Sequence, residues 1–288
     1  MVVYFLNEFV HPGDALLPLG NRAFRYGDGV FETLRILKGQ APLLGRHLSR
    51  LRSGSSILGM EMNPEWTNDW FRQKVSELLK RNEIQEGGML RITLYRENGN
   101  FYAPSGNKAL LVMEAEPLEE QQFGLNAKGL TVDLFNDVRK PLNPLSNLKT
   151  LSGLIYVLAG VFRNAKQIDN AILLNDNYNV AEAMNSNVFL VVNGVLYTPT
   201  LDEGCLDGVM RRYVIELAGQ LGIKVYETAI KPNDMLRADE IFLTNSLRGI
   251  QWVGAYRNKR YFNNTSEKLL QYLNLMILQE EGVPEKAN

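Results

Sequence analysis

Lys149, Glu182 and Gly208 stand in an order that could carry chemistry. Lys149 sits in SNLKTLSGL, just ahead of an apolar helical stretch. Glu182 sits in NVAEAMNSNVFLVV, ahead of a hairpin, and Gly208 opens the helical stretch GVMRRYVIELA. A neutral lysine amine attacks carbonyl carbon, a carboxylate holds a proton or a cation, and a helix start offers N–H groups to an anion. Taken singly, each has a plainer reading. A lysine at a strand–helix junction is usually a solvated charge, and a glutamate near a turn says no more.

Other machinery is missing. The chain has one cysteine, Cys205, and two histidines, His11 and His47, too few for a disulfide or a Cys- or His-based metal site. Gly27–Gly29 begins a G-x-G, but Glu32 occupies the third glycine position of a dinucleotide fingerprint. There is no phosphate-cradling G-x-x-x-x-G-K-[ST] loop and no G-x-S-x-G elbow for a serine nucleophile. Over 288 residues, 31 Lys and Arg face 32 Asp and Glu, and the net charge of −1 argues against a nucleic-acid surface. No apolar run approaches a membrane span, and the opening MVVYFLNEFVHPG lacks the basic start of a signal peptide. These features point to a cytoplasmic enzyme or binding protein.

Periodicity supplies the elements that must position these residues. MVVYFLN, VFETLRIL, MLRITLYR and KALLVMEAEP read as strands; LLGRHLSRLRSGSSIL and WTNDWFRQKVSELLKRN read as helices with one apolar face. The polar, glycine-punctuated EPLEEQQFGLNAKG reads as a linker. Beyond it, KGLTVDLFNDV, AILLND, KVYETAI and EIFLTNS are expected strands. LSGLIYVLAGVFRNAKQ is an expected helix burying Leu151, Leu154, Ile155, Leu158 and Phe162. FLVV-NG-VLYT predicts a two-residue hairpin, since Asn193-Gly194 suits positive φ. VMRRYVIELAGQLG predicts a helix stopped by Gly222, and SEKLLQYLNLMIL a closing helix. The mixture, without strict βαβ alternation, suggests an α+β protein with a smaller N-terminal domain over 1–120 and a larger C-terminal one over 128–288.

Together these blocks resemble the fold type IV, or class IV, family of pyridoxal-phosphate enzymes. The family holds branched-chain aminotransferases, D-amino acid aminotransferases and aminodeoxychorismate lyase. Its signature block reads here EAMNSNVFLVVNGVLYTPTLDEGCLDGVMRR, from Glu182 to Arg212. RAFRYGDGVFETLRIL, LLGRHLSRL and ADEIFLTNS also fit, so the matches run from residue 20 to 253. The resemblance implies an α/β sandwich as the smaller domain and an α/β pseudo-barrel as the larger, with pyridoxal 5′-phosphate between them. It implies that Lys149 bonds the cofactor aldehyde and moves the substrate α-proton, and that Glu182 keeps the pyridine nitrogen protonated. Arg50, the backbone N–H groups of Val209 and Met210 behind Gly208, Asn245 and Ser246 would hold the phosphate, and Leu206 would pack on the ring. Tyr26 and Phe31 resemble pocket-lining positions. Arg91 and Arg96 lie where relatives place carboxylate-binding residues, but five positions along one strand set them on opposite faces. Arg139 and Lys140 are further candidates, whereas Cys205 reads as a small packing residue.

This sequence departs from the family at some positions. Met184 stands where a small residue is usual, and could narrow the pocket. Leu154 replaces a tyrosine usual in branched-chain aminotransferases, and Phe31-Glu32-Thr33 replaces their FEG. YGDGVFET, KTLSGL, LDGVMRR and ADEIFLTNS look closer to the lyase and D-amino acid branches. The resemblance implies an aminotransferase acting on a branched-chain or D-type amino acid and a 2-oxo acid, the more widespread chemistry in the family, although these blocks lean the other way. An aminodeoxychorismate lyase making 4-aminobenzoate and pyruvate is the alternative, and a non-catalytic cofactor-binding protein the third reading. A homodimer is implied, with the loop around Phe101 and Tyr102 a candidate to complete the partner's site. No metal, nucleic acid or membrane is expected.

Overall fold

The computed structural model describes residues 1–282. The chain forms two compact units. Unit 1 holds residues 1–122, 149–152 and the described residues from Ile277; unit 2 holds 123–148 and 153–276. Among the described residues, no helix is long and apolar enough to cross a membrane.

Unit 1 is built on an antiparallel sheet ordered β2-β1-β5-β4-β3. Its strands are β1 (Val3–Phe5), β2 (Glu8–Val10), β3 (Gly29–Ile36), β4 (Gly88–Arg96) and β5 (Ala109–Pro117). Alternation decides which face is covered. Leu90, Ile92 and Leu94 of β4 and Val30, Leu34 and Ile36 of β3 are buried, in one cluster with Leu44, Leu48 and Leu51 of helix α2 (Leu44–Ile57) and Phe71, Val75 and Leu78 of helix α3 (Asn68–Arg81). The short α1 (Arg22–Tyr26) precedes β3. Helix α3 begins two residues later than the apolar pattern suggests, because the Thr67 hydroxyl accepts the Trp70 N–H at 3.2 Å and takes the N-cap.

Unit 2 carries a nine-stranded mixed sheet, ordered β11-β10-β9-β12-β13-β6-β7-β8 with β14 beside β13. The strands are β6 (Leu130–Lys140), β7 (Asn170–Asn175), β8 (Val180–Ala183), β9 (Asn187–Val192), β10 (Val195–Thr198), β11 (Val225–Glu227), β12 (Glu240–Asn245), β13 (Gly249–Tyr256) and β14 (Lys259–Arg260). Helices α4 (Leu154–Lys166), α5 (Val209–Gln220), α6 (Pro232–Arg237) and α7 (Asn264–Met276) complete it. The β9–β10 hairpin turns on Asn193 and Gly194 at φ 50° and 76°, the primed turn that its sequence requires. β8 and β13 escape the periodicity reading: the first is four residues long, and glycines interrupt the second. Gly254 is needed there, since a Cβ would stand 2.9 Å from the Gly129 Cα.

Helix α4 corrects one expectation. Leu154 and Leu158, placed in its buried stripe by spacing, are 75% and 45% exposed. Its covered face is instead Ala159, flanked by Ile155, Tyr156 and Phe162, against Phe135 of β6 and Leu173 of β7. The helix is apolar around most of its circumference, so spacing could not single out the face turned to the sheet.

Candidate active site

In unit 1 the site begins on β3. Phe31 and Glu32 are neighbours, so they project to opposite faces. On the covered face the Glu32 carboxylate is 1% exposed and receives three contacts from α2. Arg50 donates through Nε to Oε1 at 2.7 Å and through Nη2 to Oε2 at 2.5 Å, and His47 Nδ1 lies 2.6 Å from Oε2. Burial works to raise the Glu32 pKa, but Arg50 and His47 outweigh it and hold the carboxyl down at about 2. Burial pushes the His47 pKa below the ordinary imidazole value; Glu32 opposes this, while Arg50 and Lys149 add to it.

On the other face of β3, the Lys149 ammonium lies 4.4 Å from the Phe31 ring centroid, and the Arg91 guanidinium carbon 3.8 Å from it. Backbone bonds fix Lys149 there. Phe31 N–H donates to Lys149 O and Leu151 N–H to Gly29 O, each at 2.9 Å, and Thr150 bridges Val30. Gly29 permits that approach, because a Cβ would meet Leu94 O at 2.4 Å and Leu151 Cδ1 at 2.6 Å. Lys149 therefore belongs with unit 1 and not with the later-sequence unit in which chain order placed it.

In unit 2, Glu182 on β8 is 3% exposed. Its Oε1 accepts from Lys140 Nζ and, at 2.7 Å, from the Tyr156 hydroxyl; its Oε2 accepts from Leu206 N–H at 2.7 Å. Burial and then the Glu182 charge push the Tyr156 hydroxyl pKa far up, so it stays a donor. The turn ahead of α5 is pinned from two sides. Asn147 Nδ2 donates to Leu201 O and Cys205 O at 2.9 and 2.6 Å, and Asn187 Nδ2 to Leu206 O at 2.8 Å. Helix α5 then opens at Gly208, which offers no side-chain cap to the first N–H groups, at Val209 and Met210. A Cβ at Gly208 would fall 2.0 Å from Asn187 Oδ1, so a side chain there would have to displace the Asn187 amide that holds Leu206 O.

With this geometry in place, relatives are informative. The family model described as "Amino-transferase class IV" matches residues 29–256. The chain belongs to the class IV aminotransferase family. It is 31% identical over 255 residues to a Methanocaldococcus jannaschii protein assigned as a branched-chain-amino-acid aminotransferase, covering 85% of this chain and 84% of that one. It is 28% identical over 249 residues to the aminodeoxychorismate lyase of Bacillus subtilis, covering 85% and 83%. The branched-chain aminotransferase of Thermoproteus uzoniensis, solved with norvaline, superposes with a TM-score of 0.87 at 26% identity over 98% of this chain and 96% of that one. The fold is type IV, and the protein is an enzyme of this family.

Class IV aminotransferases use pyridoxal 5′-phosphate, and the donor sets of this family member suit that group. Unit 1 offers an amine, Lys149, and a guanidinium, Arg50. Unit 2 offers a buried carboxylate, Glu182, and an uncapped helix start suited to an anion. Thr244 on β12, against which α5 packs, keeps a buried hydroxyl with no hydrogen-bond partner among the described residues.

The remaining candidates differ in what they already contact. Arg96 donates to Asp28 at 2.9 Å, Asn107 Oδ1 at 2.7 Å, and the carbonyls of Leu58 and Gly59 at 2.5 and 3.2 Å, so it braces the strand end. Arg91 lies on the opposite face, with Phe31. Tyr26 sits at the end of α1, its ring centroid 5.3 Å from that of Tyr102. Asn245 donates to Ser186 Oγ at 2.9 Å and accepts from the N–H groups of Leu247 and Arg248, so it shapes the turn that carries Ser246. Arg139 stacks 3.8 Å from the Tyr178 centroid, and Lys140 pairs with Glu182. Met184 packs against α4, its Sδ 3.4 Å from where a Gly160 Cβ would stand. Burial pushes the Cys205 thiol up to about 12, as suits a packing residue.

Residue types alone passed over Glu32, His47 and Tyr156. Glu32 had a signal: it breaks the apolar alternation of Val30, Leu34 and Ile36. Tyr156 had none, because spacing did not separate the faces of α4.

Proposed function

We propose that this enzyme is a pyridoxal 5′-phosphate-dependent aminotransferase that exchanges an amino group between an amino acid, of branched-chain or D-type, and a 2-oxo acid. The carrying observation is Lys149, an amine on the face of Phe31 in a chain that belongs to this family. When bound, the cofactor supplies an electrophilic carbon and an electron sink. Lys149 would hold the cofactor through that carbon, and its amine would move the substrate α-proton. Proton transfer needs the neutral amine. The Glu182 carboxylate, oriented by Lys140, Tyr156 and the Leu206 N–H, would keep a proton on the cofactor's ring nitrogen. Arg50, the N–H groups of Val209 and Met210, and Ser246 with Asn245 would bind the phosphate, and Leu206 would pack against the ring. Tyr26 and Phe31 would line the pocket, and Arg91, beside Phe31, would meet a substrate carboxylate. The working molecule is a cytoplasmic homodimer.

Aminodeoxychorismate lyase remains the second reading, supported by the blocks YGDGVFET, KTLSGL and LDGVMRR and by the B. subtilis relative. One experiment tests both. The protein mixed with pyridoxal 5′-phosphate should turn yellow and lose the colour with hydroxylamine, while Lys149→Ala stays colourless. Single amino acids without an acceptor should convert the bound cofactor stoichiometrically to its pyridoxamine form. Pyruvate release from aminodeoxychorismate without that conversion would replace the first reading by the second, and a wild-type protein that never colours would sink both.

A further inference from the structure

Glu32 occupies a position where β3 calls for an apolar side chain. Val30, Leu34 and Ile36 on the same face are core residues, and an unpaired carboxylate buried among them would be strongly unfavourable. Its partners are two polar side chains that α2 turns inward one turn apart, His47 and Arg50, themselves 1% and 9% exposed. The contact to Arg50 is made along one edge of the guanidinium, through both Nε and Nη2. That two-point pairing stops rotation about the last bonds of a side chain that otherwise has several rotors. His47 Nδ1, on Oε2, stops the carboxylate itself from turning.

We propose that Glu32, braced by His47, is a positioning residue that fixes the plane of the Arg50 guanidinium and through it the enzyme's grip on the cofactor phosphate. This rests on the reading above that Arg50 meets that phosphate. The physical gain is preorganisation: an arginine already held in one plane loses less freedom when an anion binds. A purely structural ion pair would hold β3 to α2 and treat ligands with and without a phosphate alike.

The test compares pyridoxal 5′-phosphate with pyridoxal, which lacks the phosphate, by titrating protein stripped of cofactor and following absorbance. Wild type, Arg50→Gln, Glu32→Gln and His47→Gln are measured together with their melting temperatures. Glu32→Gln keeps the shape and removes the charge. It should weaken pyridoxal 5′-phosphate binding about tenfold or more and leave pyridoxal within about twofold. His47→Gln should lower the same preference by a smaller factor, and it decides the matter if Glu32→Gln does not fold. The proposal is overturned if Arg50→Gln loses the phosphate preference while the Glu32 and His47 variants keep it, or if those variants weaken both ligands equally. If Arg50→Gln itself keeps the wild-type preference, the phosphate role of Arg50 fails, and the positioning role falls with it.

Discussion

At the residue scale, the Glu32–His47–Arg50 cluster sets how unit 1 responds to acid. The native Glu32 carboxyl lies at about 2 against an ordinary value of 4.5, and native His47 lies below the ordinary imidazole 6.5. In both cases the unfolded chain binds protons more readily, so stability rises with pH and is lost on acidification. His47 contributes stability that is complete above pH 6.5 and fades as pH falls towards its lowered native value. The Glu32 contribution is complete above about 4.5 and is lost between there and about 2. Denaturant unfolding of wild type should therefore weaken from neutral pH downwards, and in His47→Gln the part of the decline that begins near 6.5 should be absent. Equal slopes for the two proteins between pH 7 and 5 would show that His47 does not titrate on unfolding. Conversely, Arg96, plausible from its strand position, is occupied by Asp28 and carbonyl oxygens that come from distant segments of the chain.

At the element scale, much depends on how closely the Lys149–Ser152 segment approaches β3. Gly29 leaves no room for a methyl group between Leu94 O and Leu151 Cδ1. Gly29→Ala should push that segment off the strand, destabilise unit 1 by about 1–3 kcal/mol and weaken cofactor uptake through displaced Lys149. Urea unfolding and the absorbance titration would measure the two effects; a variant of wild-type stability and affinity would show that the segment tolerates the shift. Elements whose signals are local were legible beforehand. The Asn193-Gly194 hairpin follows from backbone sterics alone, α5 ends where Gly222 stops it, and α3 departs from its periodic pattern only at the Thr67 cap. α4 was legible as a helix but not in its orientation, since Leu154, Ile155, Val157, Leu158, Val161 and Phe162 surround it with apolar side chains.

At the scale of the whole molecule, the exposed side of α4 carries the consequence. Leu154, Val157, Leu158 and Val161 recur at helical spacing and all are exposed, a larger apolar stripe than a soluble surface usually leaves open. With a homodimer as the proposed working form, a second copy of the chain is its expected cover. Val157→Asp combined with Val161→Asp should shift the protein from dimer to monomer in light scattering while its far-ultraviolet circular dichroism stays that of wild type. An unchanged dimer would place the interface elsewhere. The sequence by itself determined the family and singled out Lys149 and Glu182 as candidates, because those rest on blocks of contiguous residues whose turn and helix chemistry is local. Only the tertiary structure decided that Lys149 folds with β3, that Glu32 sits under Arg50, that Lys140 and Tyr156 serve Glu182, and that Arg91 and not Arg96 stays beside Phe31. Each of those outcomes joins side chains from separate elements, and which charges end up paired depends on which faces are buried together.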